Sequence, residues 1–199
     1  MEFIETIKIK NGKIYNLFWH NWRFNKTRFD FFGLPSIYLE EYIKDFPKRG
    51  LFRCRVLYNQ EILNIEYIPY TPKIFKTFKI LSSDIDYSYK YNNREELNSL
   101  KEQNSLYSDI IIQKNGLLTD TTIANIAFFD GEQWITPKEP LLRGTIREKL
   151  LNKKMLFKKN IKSEDLRHFH NFALMNAMIG FQIQKNITIY INTKEKICL

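Results

Sequence analysis

The N-terminal stretch MEFIETIKIKNGKIY alternates apolar and polar residues, the period-two pattern of a β-strand. Strand-like runs of this kind flank three hairpin dipeptides, Asn11-Gly12, Asn115-Gly116 and Asp130-Gly131. They pair ETIKIK with KIYNLF, DIIIQ with LLTD, and NIAFF with EQWIT. Asn-Gly and Asp-Gly supply the positive φ angles that a tight two-residue turn needs. FRCRVLY and ILNIEYI predict a fourth pair around Asn59 and Gln60, and NITIYIN with KEKICL a last hairpin. Elsewhere the period lengthens. Trp22, Phe29 and Phe32 recur at seven- and three-residue intervals, predicting a helix from about residue 18 to 32 that Gly33 and Pro35 end. Ser36 is the expected N-cap of a helix through IYLEEYIKDF, closed by Pro47. NREELNSLKEQ reads as a polar helix, Gly144-Thr145 lead into IREKLLNKK, and Ser163 caps EDLRHF with two acids in its first turn.

Strands, helices and strands again, without regular βαβ alternation, make this an α+β chain. The polar stretch Leu81-Ser82-Ser83-Asp84-Ile85-Asp86 is the predicted boundary. It gives a small N-terminal domain over 1–81, a linker over 82–86 and a larger C-terminal domain over 87–199.

Composition narrows the function classes. Of 199 residues, 44% are hydrophobic, ample for a core. The formal charge of +9 is spread along the chain, and the densest patch, Lys153, Lys154, Lys158 and Lys159, is short, so no nucleic-acid partner is expected. A modest positive field suits small anionic substrates. No apolar run approaches the roughly 18–20 residues of a membrane span. With only Cys54 and Cys198, neither a disulfide framework nor a four-ligand zinc site is available, and a reducing, cytoplasmic setting is expected. Glycine-rich phosphate loops and the Gly-x-Ser-x-Gly nucleophile elbow are absent. His168 and His170, two residues apart, do not form a metal pair on a helix.

What the sequence does carry is a set of segments in fixed order. His20-Asn21-Trp22-Arg23 lies on the first helix, and Tyr89-Lys90-Tyr91-Asn92-Asn93-Arg94 follows the linker. Leu118-Thr119-Asp120-Thr121-Thr122-Ile123-Ala124-Asn125 comes after an Asn-Gly turn. Thr136-Pro137 precedes Leu141-Leu142-Arg143-Gly144-Thr145-Ile146-Arg147, and Met175-Asn176-Ala177-Met178 closes the series. In order and spacing, these segments over about residues 3–184 resemble the class IV aminotransferase family, the fold-type IV pyridoxal-phosphate enzymes, and within it the aminodeoxychorismate lyase branch more than the branched-chain aminotransferases. Two departures stand out. Family members usually carry a further segment ahead of the strand matched by Phe3-Ile4-Glu5-Thr6, and the acid at the cofactor's pyridine nitrogen is usually Glu where this chain has Asp120.

The resemblance implies a two-domain fold-type IV architecture, a homodimer with its site between the domains, and pyridoxal 5'-phosphate as cofactor. Lys90 would be the Schiff-base amine and Asp120 the partner of the ring nitrogen, although a turn Asp bonding its own backbone has the same local look. Tyr89 and Tyr91 would desolvate the lysine and lower its pKa. Gly144, Thr145 and Ile146, opening a helix, would cradle the phosphate with backbone N–H groups. Arg23 would add a charge-assisted contact, Asn125 would brace the turn after Asp120, and Asn176 and Ala177 would contribute a further phosphate contact. Arg53 and Arg55, alternating with Cys54, face one side of a strand. They suit a small amino substrate with two carboxylates and a solvated edge strand equally. The implied reaction is cleavage of 4-amino-4-deoxychorismate to 4-aminobenzoate and pyruvate, a step toward folate. An aminotransferase acting on branched-chain or D-amino acids, or a shortened non-catalytic relative that binds the cofactor, are the alternatives.

Overall fold

The computed structural model describes residues 1–192 and 195–199. It divides into two units, the first formed by Met1–Pro72 with Tyr89–Asn93, the second by Lys73–Ser88 with Arg94–Leu199.

In the first unit, β1 (Phe3–Lys10), β2 (Lys13–Ile14), β3 (Leu51–Tyr58) and β4 (Ile62–Pro69) form an antiparallel sheet ordered β2-β1-β3-β4. The Asn11-Gly12 turn forms as predicted: both residues have positive φ (50° and 73°), and Lys10 pairs directly with Lys13. Helix α1 (Leu17–Phe32) covers one face of the sheet and ends on Gly33, whose left-handed conformation lets its N–H donate to Phe29 O. Phe3, Ile7, Ile9, Phe24, Leu39, Cys54, Val56 and Tyr58 make the core between them.

The helix expected after Ser36 does not form; only a short 3₁₀ turn, Leu39–Glu41, is found. The backbone of this segment finds its partners on α1 instead. Asn25 receives Ile37 N–H (3.0 Å) and donates to Ile37 O (2.9 Å), while Asn21 receives Leu39 N–H (2.9 Å). Side chains of a neighbouring helix thus supply hydrogen bonds that a local helix would have made for itself.

The second unit is built on a ten-stranded mixed sheet with the path β10-β9-β8-β7-β6-β5-β13-β14 and β11 and β12 joined at β8. Its elements are β5 (Thr77–Ser82), α2 (Glu95–Gln103), β6 (Asp109–Lys114), β7 (Leu117–Thr121), β8 (Asn125–Phe129), β9 (Trp134–Pro137), α3 (Thr145–Asn152), β10 (Phe157–Lys159), β11 (Asn171–Asn176), β12 (Gly180–Gln184), β13 (Thr188–Tyr190) and β14 (Lys196–Cys198). Phe78, Ile111, Ile126, Phe128, Phe172, Leu174 and Ile189 are among its buried core residues. The Asn115-Gly116 turn closes β6 onto β7, and the last hairpin pairs β13 with β14, its connecting Thr193 and Lys194 lying outside the described residues.

Two local expectations change. Asp130-Gly131 begins a longer connection, because Phe129 pairs with Trp134 and the Asp130 carboxylate accepts the N–H groups of Glu132 and Gln133. The segment from Ser163 to His168 is 3₁₀ rather than α.

The division also falls elsewhere than predicted. The strand that ends at Ser82 belongs to the second unit, hydrogen-bonded to β6, so the polar stretch 82–86 joins no two domains. Tyr89–Asn93 returns to the first unit: Ile4 N–H donates to Lys90 O (2.9 Å), Asn92 N–H to Glu2 O (2.9 Å), and Phe3 bridges Tyr91. Lys90 therefore sits with the first unit, not in the C-terminal domain that was expected to carry it. No helix among the described residues is long and apolar enough to cross a membrane.

Candidate active site

The residues singled out in the sequence fall into two groups, one on each unit. On the first, Lys90 is the central residue of a three-residue turn, with Tyr91 N–H donating to Tyr89 O (2.9 Å). Tyr91 packs on Phe3 (ring centroids 5.4 Å apart) and Tyr89 on Phe31 (4.7 Å), and the Tyr89 hydroxyl donates to Asp30 (2.7 Å). Lys90 is half-buried. Tyr89 and Tyr91 flank it in sequence, their rings packed on the first unit's own aromatics.

Arg23 is nearly buried, and two of its guanidinium nitrogens go to a carboxylate of its own unit: Nε and Nη2 donate to the two oxygens of Glu5, both at 2.7 Å. His20, one helical turn earlier, places Nδ1 2.5 Å from Glu5 Oε2. Sequence reasoning singled out Arg23 but missed Glu5, its partner. Burial opposes ionisation of Glu5, yet the Arg23 charge and the His20 and Arg23 hydrogen bonds outweigh it and hold the carboxyl down to about 2. An acid lowered from 4.5 to about 2 contributes stability that is complete above pH 4.5 and lost as the pH falls toward 2. Glu5→Gln, which leaves the Arg23 charge buried without its carboxylate, is expected to destabilise the protein by about 3–5 kcal/mol at pH 7. It should also flatten the acid limb of a stability–pH curve, which denaturant melts across that range will show.

Arg53 and Arg55 lie on the face of β3 that carries neither Cys54 nor Val56, as the alternation predicted. Arg55 donates to Asn92 (2.6 Å) and stands 3.9 Å from Glu66. Arg53 is directly opposite Lys8 on β1, a like-charged cross-strand pair that an anion would relieve, and its Nε is buried without a hydrogen-bond partner among the described residues.

On the second unit, Asp120 and Asn125 face each other across the tight turn that joins β7 to β8, closed by Thr121 N–H to Ala124 O (2.8 Å). Asp120 is buried. Its Oδ1 accepts from Asn125 Nδ2 (2.7 Å) and its Oδ2 from Leu142 N–H (2.8 Å), a backbone donor the sequence did not disclose. Asp120 therefore does not bond its own turn as the local alternative supposed. Burial pushes its carboxyl up to about 6, against these donors and the charge of Arg147. A cation or an additional donor brought to it would favour the ionised form.

Asn125 also donates to Leu142 O (2.7 Å), so it ties β8 to the loop that enters α3. Gly144 caps that helix in an extended conformation without a side-chain cap. A Cβ at Gly144 would lie 1.9 Å from Asn125 Oδ1, so only glycine fits. Beyond it Thr145 is buried and Ile146 half-buried, and the first helical hydrogen bond runs from Glu148 N–H to Gly144 O. The N–H groups of Thr145, Ile146 and Arg147 thus precede the helical ladder, the arrangement that receives an anion. Arg147, another residue whose role sequence reasoning left unassigned, is buried and held by Glu148 (2.7 Å) and Pro137 O (2.8 Å). Asn176 Oδ1 forms its own turn, accepting from Met178 and Ile179 N–H, while its Nδ2, 3.4 Å from Ile123 O, keeps a donor for an anion.

These features fit pyridoxal phosphate: a buried acid whose ionisation needs a positive partner, a helix start whose first N–H groups precede the helical ladder, and a glycine position that excludes a Cβ. Comparison with known proteins points the same way. The family model for amino-transferase class IV matches residues 89–187. The crystal structure of a "putative 4-amino-4-deoxychorismate lyase" from Haemophilus somnus is similar with a TM-score of 0.83 and 36% identity, covering 90% of this chain and 97% of that one. An uncharacterized Haemophilus influenzae protein is 37% identical over 182 residues, 88% of this chain and 97% of its own length. A "putative aminodeoxychorismate lyase" from Schizosaccharomyces pombe is 33% identical over 127 residues, 56% of this chain and 55% of that protein. With its motifs in order and its fold matched over nine-tenths of its length, the chain belongs to the class IV aminotransferase family.

Proposed function

We propose that this protein is a pyridoxal-phosphate-dependent lyase that converts 4-amino-4-deoxychorismate to 4-aminobenzoate and pyruvate. The observation that carries the proposal is Asp120, a buried carboxyl group raised to about 6 and fixed by Asn125 and Leu142 beside the start of α3. A buried acid of this kind is unfavourable by itself and suited to a ring nitrogen that brings a proton. When bound, the cofactor supplies an electron-withdrawing ring that stabilises negative charge on the substrate carbon bearing nitrogen.

The chain's own residues have distinct tasks. Asp120 keeps the proton on the ring nitrogen. The N–H groups at Thr145 and Ile146 bind the phosphate, with a further contact from Asn176 and Ala177. Arg53 and Arg55 present two guanidinium groups to the substrate's carboxylates. The released amine of Lys90 removes the proton from the carbon bearing nitrogen. The C–O bond to the enolpyruvyl group then breaks, the ring becomes aromatic, and Lys90 returns a proton to the departing group. The relatives named as aminodeoxychorismate lyases support this reaction over amino-group transfer.

Incubating the purified protein and pyridoxal phosphate with 4-amino-4-deoxychorismate tests the proposal. The expected result is stoichiometric 4-aminobenzoate and pyruvate. Amino-group transfer to 2-oxo acids with no 4-aminobenzoate would instead identify an aminotransferase on the same residues.

A further inference from the structure

Lys8, on β1, is a cation that neither the sequence motifs nor the proposed reaction use. It lies directly opposite Arg53 on β3, so both side chains stand on the face of the sheet turned away from α1. Lys10 shares that face, and the ring of Tyr15 takes the Lys8 and Lys13 ammonium groups at 5.7 and 5.6 Å from its centroid. Among the described residues of these strands, the acid on this face is Glu66, and it stands opposite Arg55. Arg55 is thereby answered, by Glu66 at 3.9 Å and by Asn92 at 2.6 Å. Lys8 and Arg53 are not. Among the described residues, neither lies within ion-pair distance of a carboxylate.

Like charges directly opposite each other repel, and the strand register holds these two in place. Both residues are half-buried, and Arg53 Nε is a buried donor without a partner, which costs free energy. Burial and the Lys10 charge hold the Lys8 amine below its ordinary value. A carboxylate placed between the two side chains removes both penalties. One oxygen accepts from Lys8 Nζ, the other from the guanidinium edge that carries Nε, and the negative charge lies between the two positive ones.

We propose that Lys8 and Arg53 together form one carboxylate subsite, with Lys8 as a further specificity-determining residue. Whose carboxylate it holds rests on the lyase reading. 4-Amino-4-deoxychorismate has two, one retained by 4-aminobenzoate and the other leaving with pyruvate. Because Arg55 already meets Asn92 and Glu66, Lys8 supplies the second uncompensated charge that one of these carboxylates needs.

Nuclear magnetic resonance of the full chain without cofactor, with lysine labelled at Cε, tests the subsite, the Lys8 signal being the one that Lys8→Met lacks. 4-Aminobenzoate, pyruvate and acetate are the probes. At least one of them is expected to move the Lys8 resonance saturably, and which product binds more tightly identifies the carboxylate held. Arg53→Met is expected to weaken that binding about tenfold, the loss of one charge-assisted contact. A Lys8 resonance that no probe moves, or an affinity unaltered in Arg53→Met, overturns the proposal. A second measurement needs no arginine variant. The bound carboxylate raises the melting temperature of the wild type and leaves that of Lys8→Met unmoved, whereas equal rises in both overturn it. Neither readout involves turnover or cofactor. If acetate engages Lys8 and neither product does so more tightly, the subsite stands and the assigned substrate does not.

Discussion

A Lys90→Ala protein is expected to lose at least about 10³-fold in turnover of 4-amino-4-deoxychorismate while remaining folded. The size follows from the number of tasks given to one amine: holding the cofactor, taking a proton from the substrate and returning one to the leaving group. The fold should tolerate the change because Lys90 is half-buried at the middle of a turn. What anchors that turn is the backbone, through Ile4 and Asn92, and the rings of Tyr89 and Tyr91, all of which the alanine variant keeps. Steady-state kinetics beside a thermal melt separates the two effects. A variant with wild-type turnover would remove Lys90 from the reaction.

Gly144→Ala is expected to produce the largest structural effect of any single methyl group added to the second unit. The new Cβ would meet Asn125 Oδ1 at 1.9 Å, far inside contact distance. Asn125 cannot turn aside cheaply, because its Nδ2 is committed to both Asp120 and Leu142 O and the residue is buried. Either the amide rotates and Asp120 loses a donor, or the helix start moves away from β8. Overpacking of this kind costs roughly 1–3 kcal/mol, and losing a hydrogen bond to a buried carboxylate about as much again. A fall in melting temperature of about 10 °C is expected, together with much weaker binding of pyridoxal phosphate. Calorimetry and a cofactor titration check both. An unaltered affinity would show that the α3 N-terminus does not hold the phosphate.

Some of this structure was legible residue by residue. The Asn11-Gly12 and Asn115-Gly116 turns formed because their requirement, two successive positive φ angles, is local. Asp130-Gly131 met the same rule and formed a longer turn, because the Asp130 carboxylate captured two downstream N–H groups. The segment after Ser36 has the composition of a helix, but the asparagines that satisfy its backbone stand on α1, more than ten residues earlier. The return of Lys90 to the first unit is equally silent in the sequence. It depends on main-chain pairing with residues at the opposite end of that unit's chain, and main-chain pairing carries no side-chain signature.

The site shows the same division. Asp120 and Asn125 were picked out through the family resemblance, and the structure hydrogen-bonds one to the other. Leu142, whose contribution is a backbone N–H, could not have been identified from its residue type. Glu5 could have been: on β1 the positions that alternate inward are Phe3, Glu5, Ile7 and Ile9, and an acid in an apolar row calls for a buried cation. Arg23, read as a phosphate contact, supplies it, with two of its nitrogens on Glu5.

The measurement that bears most directly on this account is reduction of the pyridoxal-phosphate-loaded protein with borohydride, followed by peptide mapping. The account predicts a yellow protein whose cofactor becomes irreversibly attached to a single peptide containing Lys90, with no attachment in Lys90→Ala. Attachment at a different lysine, or a colourless protein that fixes no cofactor, would contradict it.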